Sequence, residues 1–179
     1  MNNQRKRWLV LYSRPRYEKK IDSQLGELGI SSYLPLRQEM HQWSDRKKVV
    51  EVPLFSSYIF VHVNERERVI ALSADGVIKC VSFGKKLAVV SSATIANLKL
   101  MMTRPADVRV EQTALNLGQR VRVKYGPMQG LVGHLAEFRG HTRVILLVEA
   151  IHQAVSVEVP LGDLDPVRST HFEVTEPQQ

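Results

Sequence analysis

The stretch Val52-Pro53-Leu54-Phe55-Ser56-Ser57-Tyr58-Ile59-Phe60-Val61-His62-Val63 decides how the first half of the chain is read. Aromatic and β-branched residues at this density fit a buried strand. Pro53 has no N–H to give a ladder, so it belongs at the strand's start or on an edge. From Tyr58 onward, alternation places Tyr58, Phe60 and His62 on one face and Ile59, Val61 and Val63 on the other. Both faces carry apolar bulk. The stretch by itself therefore describes either a central strand buried on both sides or a strand that offers one side to a partner.

The flanking sequence predicts a mixed domain. Trp8–Tyr12 is a short apolar strand running into the basic turn Ser13-Arg14-Pro15-Arg16. Tyr17, Ile21, Leu25 and Leu28 fall on one helical stripe, with Gly29 as the stop. Residues 31–36 form a second strand, and the polar segment 37–51 forms a basic hairpin around Ser44-Asp45. Asn64 and Glu67 make a capping box for a helix over 65–73. Strands over 77–83 and 87–90 follow, and then a helix capped by Ser91 or Ser92 and halted before Pro105. This order predicts an α+β sandwich with a mostly antiparallel sheet. Residues 103–116 lose periodicity and read as a linker. Beyond it the period is two almost throughout, as in a small SH3-like β-barrel over 117–168, with a disordered tail at 169–179.

Charge divides the same way. Residues 1–105 carry 18 Lys and Arg against 9 Asp and Glu, and the remainder carries 7 against 9, so the net +7 arises entirely in the first part. A basic face of this kind points to a polyanionic partner. Cys80 is the single cysteine, which excludes an internal disulfide and fits a reducing, cytoplasmic setting. No window approaches the length of a membrane span, so no membrane association is expected. The six histidines lack paired metal-ligand spacing, Cys80 has no sequence-adjacent base, and no Gly-rich phosphate loop opens a helix. The sequence predicts neither an enzyme nor a cofactor.

The most specific short motif is Gly118-Gln-Arg-Val121-Arg-Val123-Lys-Tyr-Gly126-Pro127-Met-Gln-Gly130-Leu-Val-Gly133. Its glycines mark positions where a side chain would block a bend or close packing. The spacing resembles the KOW motif of ribosomal and transcription-factor barrels. With that motif downstream, Trp8–Tyr12, Arg14–Lys20, Pro53–Val61 and Gly76–Gly84 together resemble the N-terminal domain of the NusG family. Trp43-Ser-Asp-Arg-Lys-Lys48 is similar to the specialised RfaH and UpxY-type paralogues. The resemblance extends over residues 7–167.

This resemblance implies a transcription elongation and antitermination factor acting on specific operons, those of polysaccharide biosynthesis in the paralogues it is most similar to. Residues 1–102 would be the RNA polymerase-binding domain, 103–116 the linker and 117–168 the KOW domain. By motif position Tyr12, Phe55, Tyr58 and Phe60 would dock on the clamp helices of RNA polymerase. Where the family has Pro-Gly or Pro-Asn, this chain has Ser56-Ser57, residues that a turn tolerates. Arg14, Arg16, Lys19, Lys20, Arg46, Lys47 and Lys48 would track non-template single-stranded DNA, and the barrel would engage a small-subunit ribosomal protein or Rho. A monomer is expected. The other class of protein open to these residues is a KOW-type RNA-binding module of the ribosome, with the basic face gripping RNA.

Overall fold

The computed structural model describes residues 5–42, 47–111, 117–138 and 140–167, with the backbone alone at residues 41, 47 and 138. The expected disordered tail and the hairpin tip at Trp43–Arg46 lie outside these residues. The first half begins with β1 (Arg7–Ser13), α1 (Glu18–Glu27), β2 (Ser31–Tyr33), β3 (Leu36–Gln42) and β4 (Lys47–Pro53). It continues through β5 (Tyr58–Val63), α2 (Glu65–Leu72), β6 (Val77–Cys80), β7 (Ser82–Phe83), β8 (Lys86–Leu87), β9 (Val89–Val90) and α3 (Ser92–Met101).

β1 and β5 form the centre of an antiparallel sheet in the order β2-β5-β1-β6, with β9 also pairing with β1. The register sets Trp8 opposite His62, Val10 opposite Phe60 and Tyr12 opposite Tyr58, so these six side chains share one face. Leu9, Leu11, Ile59, Val61 and Val63 occupy the other face, where they pack with Ile21 and Leu25 of α1 and Ala71 of α2. The first face is covered by Ile95, Leu98 and Met101 of α3. Burying a Leu, Ile or Phe side chain contributes about 1.5–3 kcal/mol, so each face has a core of its own.

Local signals account for the helix ends. Gly29 follows α1 at φ +69°. Asn64 and Glu67 close a reciprocal capping box, with both hydrogen bonds at 3.0 Å. Ser91 Oγ accepts from Thr94 N at 2.9 Å and caps α3. Three expectations are corrected. The stretch 52–63 is two strands rather than one, broken by a turn at residues 54–57 in which Ser57 takes φ +67°. The strand expected over 31–36 splits at Tyr33, with Leu34-Pro35 between its two parts. The strand expected over 77–83 divides after Cys80.

The second half contains β10 (Val108–Glu111), β11 (Arg120–Val123), β12 (Val132–Phe138), β13 (His141–Val148), β14 (Gln153–Glu158) and β15 (Leu164–Pro166). They form an antiparallel sheet in the order β10-β14-β13-β12-β11-β15. Alternation in β11, β13 and β14 puts Val121, Val123, Val144, Leu146, Val155 and Val157 into one apolar cluster. Gly133 is required there, because a Cβ would lie 2.6 Å from the carbonyl oxygen of Ile145 on the neighbouring strand. β10 lies inside the segment read as a linker. Its four residues, Val-Arg-Val-Glu, are too few to show a period without the β14 edge they pair with.

The two halves pack together. The α3-side core of the first sheet and the core of the second form one continuous apolar cluster. Asn97 Oδ1 of α3 accepts a hydrogen bond from Val132 N of β12 at 3.1 Å. The rings of Phe83 and His152 meet edge to face, with centroids 5.2 Å apart. α3 is thus the shared layer between the two sheets.

Candidate functional site

β1 ends at Ser13, where three turns converge. Ser13 N donates to the carbonyl oxygen of Ser57 at 2.9 Å, and Arg14 N donates to that of Gly76 at 2.8 Å. The turn between β4 and β5 closes through Tyr58 N donating to Phe55 O at 3.3 Å. Its left-handed residue, Ser57, is buried, and its N–H donates to Glu18 Oε1 at 2.6 Å. Glu18 is only 4% exposed and stands in the first turn of α1. A buried carboxylate thus satisfies the turn that the Ser56-Ser57 substitution leaves without proline or glycine. Gly76 approaches Tyr17 so closely that a Cβ would lie 2.3 Å from its ring.

The four aromatic candidates separate into two pairs. Phe55 and Phe60 are 1% and 0% exposed, and their rings meet edge to face at 6.0 Å. Phe60 also stacks on Tyr33 at 6.3 Å. In this arrangement neither phenylalanine offers surface to another molecule. Tyr12 and Tyr58 remain half-buried, with ring centroids 5.5 Å apart. They form the reachable part of the expected patch.

The basic candidates also differ among themselves. Arg14, Arg16 and Lys19 are exposed around the start of α1. Lys20 is committed to Asp75 at 2.6 Å, a hydrogen-bonded ion pair that raises the lysine pKa and lowers that of the aspartate. Lys48 is exposed on β4, opposite His41 of β3. Arg46 and the Lys47 side chain lie outside the described residues.

A cleft of about 480 Å³ lies between the start of α1 and the β3–β4 hairpin. Arg16, Lys19 and Arg37 line it, together with Glu18, Glu39 and Glu51. Arg37 and Glu39 form an ion pair. Sequence reasoning did not select Arg37, Glu39 or Glu51. Their only signal was polar alternation in the hairpin, and their position beside α1 is a tertiary fact. A second feature it missed is the seat of α3. Lys99 Nζ lies 5.2 Å from the Tyr33 ring centroid and 5.8 Å from that of Trp8, and Trp8 stacks on His62 at 5.0 Å. Burial pushes the Tyr33 hydroxyl up to about 12.

The KOW residues serve the second sheet. Val121 and Val123 are buried, Gly126 and Gly130 take positive φ, and Gly118 N donates to Leu135 O at 2.8 Å. Pro127 is exposed in the turn between β11 and β12. Cys80 is buried, which raises its thiol pKa. Among the described residues, no three His, Cys, Asp or Glu side chains are grouped to hold a metal ion. No helix of the described residues is long and apolar enough to cross a membrane.

A sheet with helices on both faces, followed by a β-rich half that carries a KOW-like glycine pattern, defines a class of transcription proteins. The family described as transcription termination factor nusG matches residues 6–99, just over half of the chain. The chain belongs to the NusG family, whose members act in transcription elongation. The solved structure described as a domain interaction in Thermotoga maritima NusG superposes with a TM-score of 0.51 at 18% identity. That match covers 93% of this chain and 100% of the other, and it supports the shared fold. A structure of the MjSpt4:Spt5 complex matches at 12% identity and a TM-score of 0.31, covering 89% of this chain and 97% of the other. Comparison with curated proteins gives no match.

Proposed function

We propose that this protein binds RNA polymerase and promotes processive transcription, working as a binding factor without catalysis or a cofactor, as a cytoplasmic monomer. The half-exposed Tyr12–Tyr58 pair carries the proposal, because it lies beside the exposed basic turn at Arg14 and Arg16. An amphipathic aromatic pair suits a helical protein partner, since each ring packs its face while its hydroxyl stays at the wet rim. The clamp helices of the polymerase are the partner we assign to it. Phe55 and Phe60 then act from below, as the packed floor that fixes the tyrosines.

Arg14, Arg16 and Lys19 form the basic edge we assign to non-template DNA, with Lys48 across the cleft. Contacts of this kind give affinity that falls with salt and carry little sequence information by themselves. A role on particular operons, in the manner of RfaH and UpxY-type factors, is supported by the sequence resemblance of residues 43–48. For the second sheet we retain a small-subunit ribosomal protein or Rho as partner.

The test is capture of RNA polymerase by the full chain and by the double variant Tyr12→Ala, Tyr58→Ala. The expected result is loss of polymerase from a variant with unchanged thermal stability. Undiminished capture by that variant would overturn the proposal. A Phe60→Ala variant is unsuitable for this purpose, since it empties the core.

A further inference from the structure

β10 pairs with β14 from Val108 opposite Val157 to Glu111 opposite Ala154, and it stands at the end of its sheet. Val108 is buried and Val110 half-buried against the sheet's core. On the opposite face the Glu111 carboxylate accepts a hydrogen bond from the Ser156 hydroxyl. Arg143, only 4% exposed, donates from Nε to Ser156 Oγ at 2.8 Å and from Nη2 to Ser156 O at 3.2 Å. Its guanidinium lies 3.9 Å from carboxylate oxygens of both Glu111 and Glu158.

Without a carboxylate at the Glu111 position, the Ser156 hydroxyl proton loses its acceptor. The buried guanidinium would then keep only Glu158, which is half-exposed. Burial, reinforced by the charge of Arg109 on the same strand, already lowers the Arg143 pKa. The edge of β14 therefore specifies its occupant. It takes an extended segment with apolar side chains at two alternate positions and an acidic one immediately after the second.

We propose that the β14 edge is a docking site for an extended strand of a partner protein with the pattern apolar-x-apolar-acidic, and that β10 is the chain's own occupant of that edge, displaced when the partner binds. β10 suits this role because it has four residues and hydrogen-bonds to a strand on one side only. A strand so short and so placed opens at lower free energy than the strands inside the sheet. The proposal rests on the second sheet and is independent of polymerase binding by the first.

The experiment titrates full-length protein into a fluorescent peptide of sequence Pro-Ala-Asp-Val-Arg-Val-Glu, this chain's residues 105–111, and into the same peptide with Glu111→Gln. The full chain carrying Val108→Ser and Val110→Ser, which loosen β10, should bind the Glu peptide saturably. It should bind the Gln peptide at least tenfold more weakly, and the unmodified chain should bind the Glu peptide more weakly than the variant does. Equal affinity for the two peptides, or no binding by a variant that keeps the amide spectrum of β11–β15, would overturn the proposal. If the variant fails to fold, hydrogen exchange of the unmodified chain decides. The β10 amides should then exchange at least tenfold faster than those pairing β13 with β14, and equal rates would refute displacement.

Discussion

Phe55 with Phe60, and Tyr12 with Tyr58, are two aromatic pairs in the same region of one sheet, yet they have opposite fates. The phenylalanines lie in the apolar cluster shared with α3 and are almost wholly buried. The tyrosines lie where β1 and β5 run out toward the basic turn, and they remain partly open. Alternation assigns a residue to a face, but it does not say where along that face the covering helix lies. The same aromatic density therefore serves as core at one end and as accessible surface at the other.

The largest effect that could break this contrast is the cost of truncation. Phe60→Ala should destabilise the protein by about 3–5 kcal/mol, whereas Tyr12→Ala should cost about 1 kcal/mol or less, near the value of one ring pair. Urea unfolding of the two variants measures both, and similar losses would mean that the pairs are not distinct. Next comes the carboxylate beneath the tyrosine-bearing turn. Glu18→Ala leaves the buried Ser57 N–H without its acceptor and should cost about 1.5–3 kcal/mol. A loss below about 0.5 kcal/mol would show that the turn does not depend on α1.

A titration probes the phenylalanine side. The folded pKa of Tyr33, about 12, lies above the ordinary tyrosine value near 10. The folded state thus holds the proton more tightly, and this stability is complete below about pH 10 and lost as pH rises toward 12. Because Tyr33 is partly exposed, the expected loss is about 1–2 kcal/mol after allowance for solvent screening. Denaturant midpoints across that window should fall for the natural chain and stay flatter for Tyr33→Phe. The smallest expected effect is at Ser57. Its left-handed backbone should be relieved by Ser57→Gly, with a gain of up to about 1 kcal/mol offset in part by the freer unfolded chain. A lower melting temperature for that variant would show that the serine side chain contributes more than its strained backbone costs.

Much of the fold was legible in the sequence. Gly29, the Asn64–Glu67 box and Ser91 marked helix ends through local chemistry, and local chemistry survives folding. The two-faced alternation of residues 58–63 and the KOW glycines were equally direct. β10 was not legible, because a four-residue strand with mixed polarity gains its conformation from the β14 edge. The cleft residues Arg37 and Glu51 were missed for a similar reason, since nothing in the hairpin's own sequence records that α1 stands across from it.

The candidate site was legible by composition and was sorted by tertiary structure. Arg14, Arg16 and Lys19 could be named from the chain, but Lys20 could not be set apart from them. Its partner Asp75 is distant in sequence, and only the packing of α1 against the 74–76 turn brings the two within 2.6 Å. By itself the sequence determined which elements form, which residues share a face and where the positive charge collects, because these follow from backbone periodicity and short-range capping. Only the tertiary structure decided that α3 covers Phe60 and leaves Tyr58 partly open, that Glu18 holds the Ser57 turn, and that one helix serves two sheets. Those outcomes depend on which surfaces meet, and a one-dimensional pattern of apolar and polar residues does not encode its own neighbours.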